Sequence, residues 1–153
     1  MSQKNVEILR GCAELLNVGD WDALFELYHP DADVEFRDLQ PLPDIPKALQ
    51  GREAIRLVVA HWTEPYDEFG AEVYDYIDAH PWVICDTRWH AKGKGSDVPT
   101  DVHFADAYEV KDGKIIRAII GYPDVATALK AVGLGEAMSQ GNVEMPALGR
   151  VPR

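Results

Sequence analysis

The sequence is poor in cysteine, poor in positive charge and without a long hydrophobic run. Its 2 cysteines, Cys12 and Cys85, make neither a disulfide framework nor a metal cluster. The 15 Lys and Arg residues stand against 26 Asp and Glu, a formal charge of -11. Nucleic-acid binding rests on clustered cationic side chains, so no nucleic-acid partner is expected. The strongest apolar stretch, "IRLVVAHW", is interrupted by Arg56 and His61. It falls well short of the roughly 20 residues needed to cross a bilayer, so no membrane span is expected. The 5 histidines form no i,i+4 pair and join no paired Cys. With no Gly-rich phosphate loop before a helix either, neither a metal nor any other cofactor is expected. No cationic-then-apolar leader opens the chain, which together with the cysteine usage predicts a cytoplasmic protein.

What the sequence does have is regular patterning over most of its 153 residues, enough for one domain with a core and too few for two. From Ser2 to Val18 the residues Val6, Ile8, Leu9, Cys12, Ala13, Leu15 and Leu16 recur at three- and four-residue spacing. This predicts an amphipathic helix ended by Gly19. Asp20 can cap a second helix, "WDALFELY", in which Trp21, Leu24, Phe25 and Tyr28 keep helical spacing until His29-Pro30 stops it. "ADVEF" alternates as a short strand with Val34, Phe36 and Asp38 on one side. "LQPLPDIPKALQG" carries Pro41, Pro43 and Pro46 and predicts a stiff loop, while "REAIRLVVAHWTEPYD" predicts a third helix striped by Ile55, Val58, Val59 and Trp62. Four strands follow: "AEVYDYIDA", "PWVICDTRWHAKG", "TDVHFADAYEV" and "KIIRAIIGY". Turn signals between them suit an antiparallel meander, with Asp112-Gly113 closing the last hairpin. "PDVATALKAVGL" predicts a short last helix ended near Gly133. Helices first and antiparallel strands after is the α+β pattern.

One position breaks the strand pattern. Alternation puts Val102, Phe104, Asp106, Tyr108 and Val110 on one face and His103, Ala105, Ala107 and Glu109 on the other. Burying an unpaired carboxylate costs several kcal/mol or makes it take up a proton. Asp106 is therefore either a perturbed acid at a site or an acceptor that ties the core together. On the preceding strand Asp86, Arg88 and His90 share one face, Thr87 and Trp89 the other, and which face looks inward stays open. An inward Arg88 could bind an anion or hold Asp106 ionised; an outward one leaves a solvated or subunit-facing row. His103 alternates away from Asp106 toward the outer surface, and His61 borders the stripe of its helix.

The string "NVGDWDALFELYHPDADVEF", a Pro-rich loop, "GREAIRLVV" and "YEVKDGKIIRAIIGYPDVATALKAVGL", in this order and spacing, resembles the SnoaL-like branch of the nuclear transport factor 2 (NTF2-like) superfamily. The resemblance covers nearly residues 1 to 134, making these the domain and 135 to 153 a C-terminal tail. It implies an α+β, NTF2-like cone: a strongly curved, mostly antiparallel sheet wrapped around three helices, with a hydrophobic pocket and frequent dimerisation through the outer sheet face. It turns Phe104, Asp106 and Tyr108 inward with Ile116, Ala118, Ile120 and Tyr122 of the next strand. Phe36, Val59, Trp62 and Trp89 then become core or pocket wall.

Against the ketosteroid isomerase pattern of this superfamily the match is partial. Asp106 stands at the protonated oxyanion-hole aspartate, and Tyr28 at a supporting tyrosine. Cys12, Val59 and Phe36 stand where two further tyrosines and the general base belong, which argues against steroid isomerisation. Asp38 could act as a displaced base. The limonene epoxide hydrolase pattern also fails, since Asp86 and Arg88 come in reversed order and Ile120 replaces an acid. SnoaL-like polyketide cyclases use a pocket aspartate without any cofactor, a role Asp106 could fill. The resemblance thus implies a homodimer performing cofactor-free isomerase, cyclase or dehydratase chemistry on a small hydrophobic molecule. Asp106 is its acid/base, Tyr28 the hydrogen-bond partner, and Asp38 or Arg88 a second group. The alternatives are a non-catalytic binding module and an assembly subunit using its sheet face and tail.

Overall fold

Helical spacing at the start of the chain becomes α1, Ser2–Val18, with Val6 and Leu9 of its stripe buried. The structure, a computed structural model, describes residues 2–37, 48–64, 66–93 and 99–140. Asp20 caps α2, Trp21–Glu26, by accepting a hydrogen bond from the Ala23 amide at 3.1 Å. This helix is shorter than its apolar spacing predicts, because Tyr28 already opens β1, Tyr28–Phe36. His29 and Pro30 therefore lie inside a strand. Proline cannot donate to a ladder, and the pairing of β1 with its neighbour shifts register between Tyr28 and Asp33, where Pro30 falls. β2, Ala48–Gln50, forms at the end of the segment expected as loop. Asp38 and the three prolines of that segment lie outside the described residues.

α3, Arg52–Thr63, buries Ile55. After it run β3, Tyr66–Ala79, β4, Trp82–Gly93, β5, Pro99–Lys111, and β6, Lys114–Tyr122. The six strands make one curved, unclosed sheet in the order β2-β1-β6-β5-β4-β3. β1 and β6 pair parallel; all other neighbours are antiparallel. The β5–β6 turn uses Asp112 (φ 53°) and Gly113 (φ 79°), the left-handed pair an Asp-Gly hairpin requires. At the β3 edge, Asn17 of α1 replaces a missing strand. Its side-chain amide donates to the Ala71 carbonyl at 2.9 Å, and its carbonyl accepts from the Ala71 amide at 2.8 Å.

The two faces of the sheet carry separate apolar clusters. One joins α1, α2 and α3 to Val34, Phe36, Cys85, Trp89, Phe104 and Ile120. The other lies under α4, Val125–Gln140, whose Val125, Ala128, Leu129 and Val132 pack on Trp82, Ile84, Ala105, Ala107, Ile119 and Tyr122. α4 runs past Gly133, where the sequence pattern placed its end, and residues 141–153 of the expected tail lie outside the described residues. Among the described residues no helix is long and apolar enough to cross a membrane.

Strict alternation along β6 fails at both ends. The pairing with β5 shifts register between Ala105 and Asp106 and again between Glu109 and Val110, so one extra β6 residue is accommodated at each point. Each shift moves the side chains beyond it to the opposite face. Ile115 is consequently fully buried in the inner cluster in place of Ile116, and Tyr122, expected on the pocket side, packs under α4. Gly121 occupies the upper bulge at φ 110°, a backbone state L side chains rarely adopt. Gly121→Ala is expected to destabilise the fold by about 1–3 kcal/mol, read as a lower urea midpoint at unchanged m-value.

Candidate functional site

β5 carries the inward row Val102, Phe104, Asp106, Tyr108 and Val110, and pairing sets Asp106 opposite Cys85 of β4 and Ile120 of β6. Asp106 is 2 % exposed. It lines an interior cavity of about 90 Å³ between the sheet and α1, α2 and α3. The walls are Phe25, Tyr28, Phe36, Phe69, Trp89 and Tyr108 with aliphatic side chains and the thiols of Cys12 and Cys85; among the described residues no Lys, Arg or His lines it. At this volume the cavity admits a molecule of only a few heavy atoms without movement of its walls.

Two hydroxyl groups converge on one oxygen of the acid. Tyr108 Oη donates to Asp106 Oδ2 at 3.0 Å, and Thr87 Oγ1 donates to the same atom at 3.5 Å. Oδ1 is buried and meets no hydrogen-bond partner among the described residues. Burial pushes the Asp106 carboxyl up to about 8, and the hydrogen bonds from Tyr108 and Thr87 draw it back only in part. Burial also raises the phenols of Tyr28 and Tyr108 and the thiol of Cys85, and pushes the Cys12 thiol to about 12. Both thiols stay protonated at neutral pH and are poor nucleophiles.

The sequence-derived candidates divide by strand phase. Tyr28, Phe36, Val59, Trp89, Tyr108 and Ile120 join Asp106 around the cavity. Phe104 and Ala118 belong to the inner cluster behind it, with Phe104 edge-on to Trp89 at 4.8 Å. Arg88 is corrected: it is on the outer face, donating to Asp101 at 2.8 Å and to Glu72 at 3.1 Å, so it cannot neutralise Asp106. Tyr122 is likewise outside, under α4. Tyr28 lines the cavity, but Tyr108 takes the hydrogen-bonding role expected of it. His103 is on the outer face as its phase predicts, 2.7 Å from Asp86. Asp38 and the side chains of His61 and Trp62 lie outside the described residues. Cys85 and Thr87 were not anticipated as lining groups. The row Val83, Cys85, Thr87, Trp89 and Ala91, uncharged throughout, was the available signal that this side of β4 faces in.

Residues 9–118 match the family model described as a SnoaL-like domain. The chain belongs to the SnoaL-like family. No curated protein sequence matches it. Among solved structures, Bal32a from a soil-derived mobile gene cassette is 24 % identical with a TM-score of 0.66, the match covering 77 % of this chain and 88 % of that one. A Catenulispora acidiphila protein with a ketosteroid isomerase-like fold, in complex with trimethylamine, is 19 % identical with a TM-score of 0.65, covering 83 % and 92 %. IdmH of Streptomyces antibioticus, a candidate polyketide cyclase, is 20 % identical with a TM-score of 0.61, covering 74 % and 87 %. At these identities the similarity shows the NTF2-like fold. The SnoaL-like family, with its candidate polyketide cyclases, points to small-molecule binding.

Within this SnoaL-like frame Asp106 is a buried acid on the cavity wall. Among the described residues no set of three or more His, Cys, Asp and Glu is placed to hold a metal ion. A carboxyl ionising near 8 is protonated in much of the population at neutral pH and can donate or accept a proton there. The same shift fixes the pH dependence of stability. The unfolded carboxyl releases its proton near 3.8 and the folded one near 8, so between these values the folded state holds a proton the unfolded chain has lost. Stability therefore falls as pH rises from about 4 to about 8, by at most about 6 kcal/mol. In Asp106→Asn, neutral throughout, urea unfolding at pH 5 and pH 9 is expected to show a markedly smaller loss than in the wild type.

Proposed function

We propose that this protein is a cofactor-free acid/base enzyme of isomerase, cyclase or dehydratase type, acting on a small, uncharged hydrophobic molecule through Asp106. The observation that carries this reading is the buried acid with one unpartnered oxygen on an otherwise apolar cavity. A core carboxyl serving structure alone would be expected to have both oxygens satisfied. Among the described residues the lining offers no cation to receive an anionic substrate, whereas a neutral carboxyl donates readily to a carbonyl or hydroxyl oxygen. Donation to a carbonyl oxygen makes the neighbouring C–H bonds more acidic, and the carboxylate this leaves takes up the released C–H proton, the common first event in isomerisation, aldol-type cyclisation and dehydration. Tyr28 supplies a second hydroxyl on the same cavity, kept neutral by its own burial.

A non-catalytic binding module is the second reading, and the trimethylamine held by the Catenulispora acidiphila protein favours it. Aromatic walls with one acid also suit a small ammonium ion, which the ring faces attract and an ionised Asp106 would balance. Acetone and trimethylamine, of nearly equal size, separate the two. The enzyme reading predicts that the wild type accelerates deuterium exchange at the methyl groups of acetone, followed by NMR. Asp106→Asn should lose at least about 100-fold of that acceleration with its fold intact. Trimethylamine binding that strengthens above pH 8, with no acceleration of exchange, would replace the enzyme by the binding module.

A further inference from the structure

Two hydrogen bonds to one carboxyl oxygen constrain where a proton can go. Tyr108 Oη at 3.0 Å and Thr87 Oγ1 at 3.5 Å both address Asp106 Oδ2, while Oδ1 has no partner among the described residues. Three states of the group can be weighed. The ionised form leaves Oδ1 as a buried charged oxygen without a donor, a costly arrangement. A proton on Oδ2 would point at one of the hydroxyls that already donate there, forcing it to turn, and would still leave Oδ1 an unsatisfied acceptor. A proton on Oδ1 lets Oδ2 act as the carbonyl oxygen accepting both hydroxyls, and makes Oδ1–H the donor left over for a ligand.

We propose that Tyr108 and Thr87 are positioning residues that hold the Asp106 proton on Oδ1, so that one defined oxygen of the acid faces chemistry. The assignment of a ligand to Oδ1–H rests on the functional reading above; the placement of the proton does not. β-strand geometry builds the device. Tyr108 is two residues from Asp106 on the same face of β5, and Thr87 comes from the adjacent β4 on the same side of the sheet. The pair also sets acid strength, since each donor favours the carboxylate and opposes the burial that raises the acid. The titratable groups facing Asp106 are Cys12 of α1, Tyr28 of β1, Cys85 of β4 and Tyr108 itself, all held in their neutral forms by burial. From α2, α3 and β6 the lining side chains are apolar, Phe25, Ile55, Val59 and Ile120 among them. Among the described residues no neighbouring charge on the cavity therefore competes with the two hydroxyls.

Infrared difference spectra of the full chain at pH 5, wild type minus Asp106→Asn, isolate the carbonyl stretch of the protonated acid. With the proton on Oδ1, that stretch belongs to a doubly hydrogen-bonded carbonyl. Its frequency is low in the wild type, rises in Tyr108→Phe, and rises less in Thr87→Val, whose bond is longer. Carboxyl-carbon NMR should show the ionisation of Asp106 moving up by about one pH unit in Tyr108→Phe, because a donor to the carboxylate has been removed. A high, unbonded carbonyl frequency in the wild type that neither variant moves would place the proton on Oδ2 and overturn the proposal. Thr87→Val gives an independent reading if Tyr108→Phe fails to fold. Neither readout depends on turnover, so a failure of acetone exchange counts against the enzyme reading and leaves the proton placement standing.

Discussion

Removing a carboxylate from water costs several kcal/mol unless a cation or a set of donors replaces the lost hydration. Asp106 is offered two hydroxyls on one oxygen and nothing on the other, so the neutral acid is the form that fits. The surroundings agree with that state. The thiols and phenols on the same cavity are also shifted toward their neutral forms by burial, and among the described residues the cavity lining contains no basic side chain. The sequence carries a formal charge of -11, yet among the described residues the cavity around Asp106 is otherwise uncharged. A carboxyl kept neutral in this way is a donor at the pH where exposed carboxylates are acceptors.

Sheet geometry delivers this arrangement. The phase of β4 is fixed by its pairing with β5, which places Cys85, Thr87 and Trp89 on the cavity side and sends Asp86, Arg88 and His90 outward. Arg88 is held there by Asp101 and Glu72. Had the phase been opposite, a guanidinium would have faced Asp106 and held it ionised. The bulges between β5 and β6 act similarly at their own scale. They keep Ala118 and Ile120 facing in while Tyr122 joins the layer beneath α4.

Part of the outer face of the sheet is covered by α4. Ala105 and Ala107, alternating with the pocket row of β5, are fully buried beneath α4, where Ala128 meets them. Small side chains on both surfaces allow the helix to come close to the sheet. Across Ile84, Ala105, Ala107 and Ile119 this chain's own helix covers the outer face of the sheet. Exposed beyond it are the polar groups of β3, β4 and β5, including Tyr74 at 52 % exposure and the His103–Asp86 pair.

The sequence by itself determined the helices, the meander with its Asp-Gly turn, the capping of α2 by Asp20, and the anomaly at Asp106. These are properties of neighbours along the chain: apolar spacing, turn chemistry, and a charge in an apolar row. It also carried, through ordered weak motifs, the resemblance to the family the chain belongs to. Only the tertiary structure decided which face of β4 looks inward, that Tyr108 and not Tyr28 bonds the acid, and that Tyr122 leaves the pocket side. Those outcomes depend on register, and register is set between strands, where a shift of one residue reverses every side chain beyond it without leaving a mark on local periodicity. The elevated ionisation of Asp106 is of the same kind, because it arises from the walls of three helices and a sheet closing over a group that the sequence shows only as an aspartate.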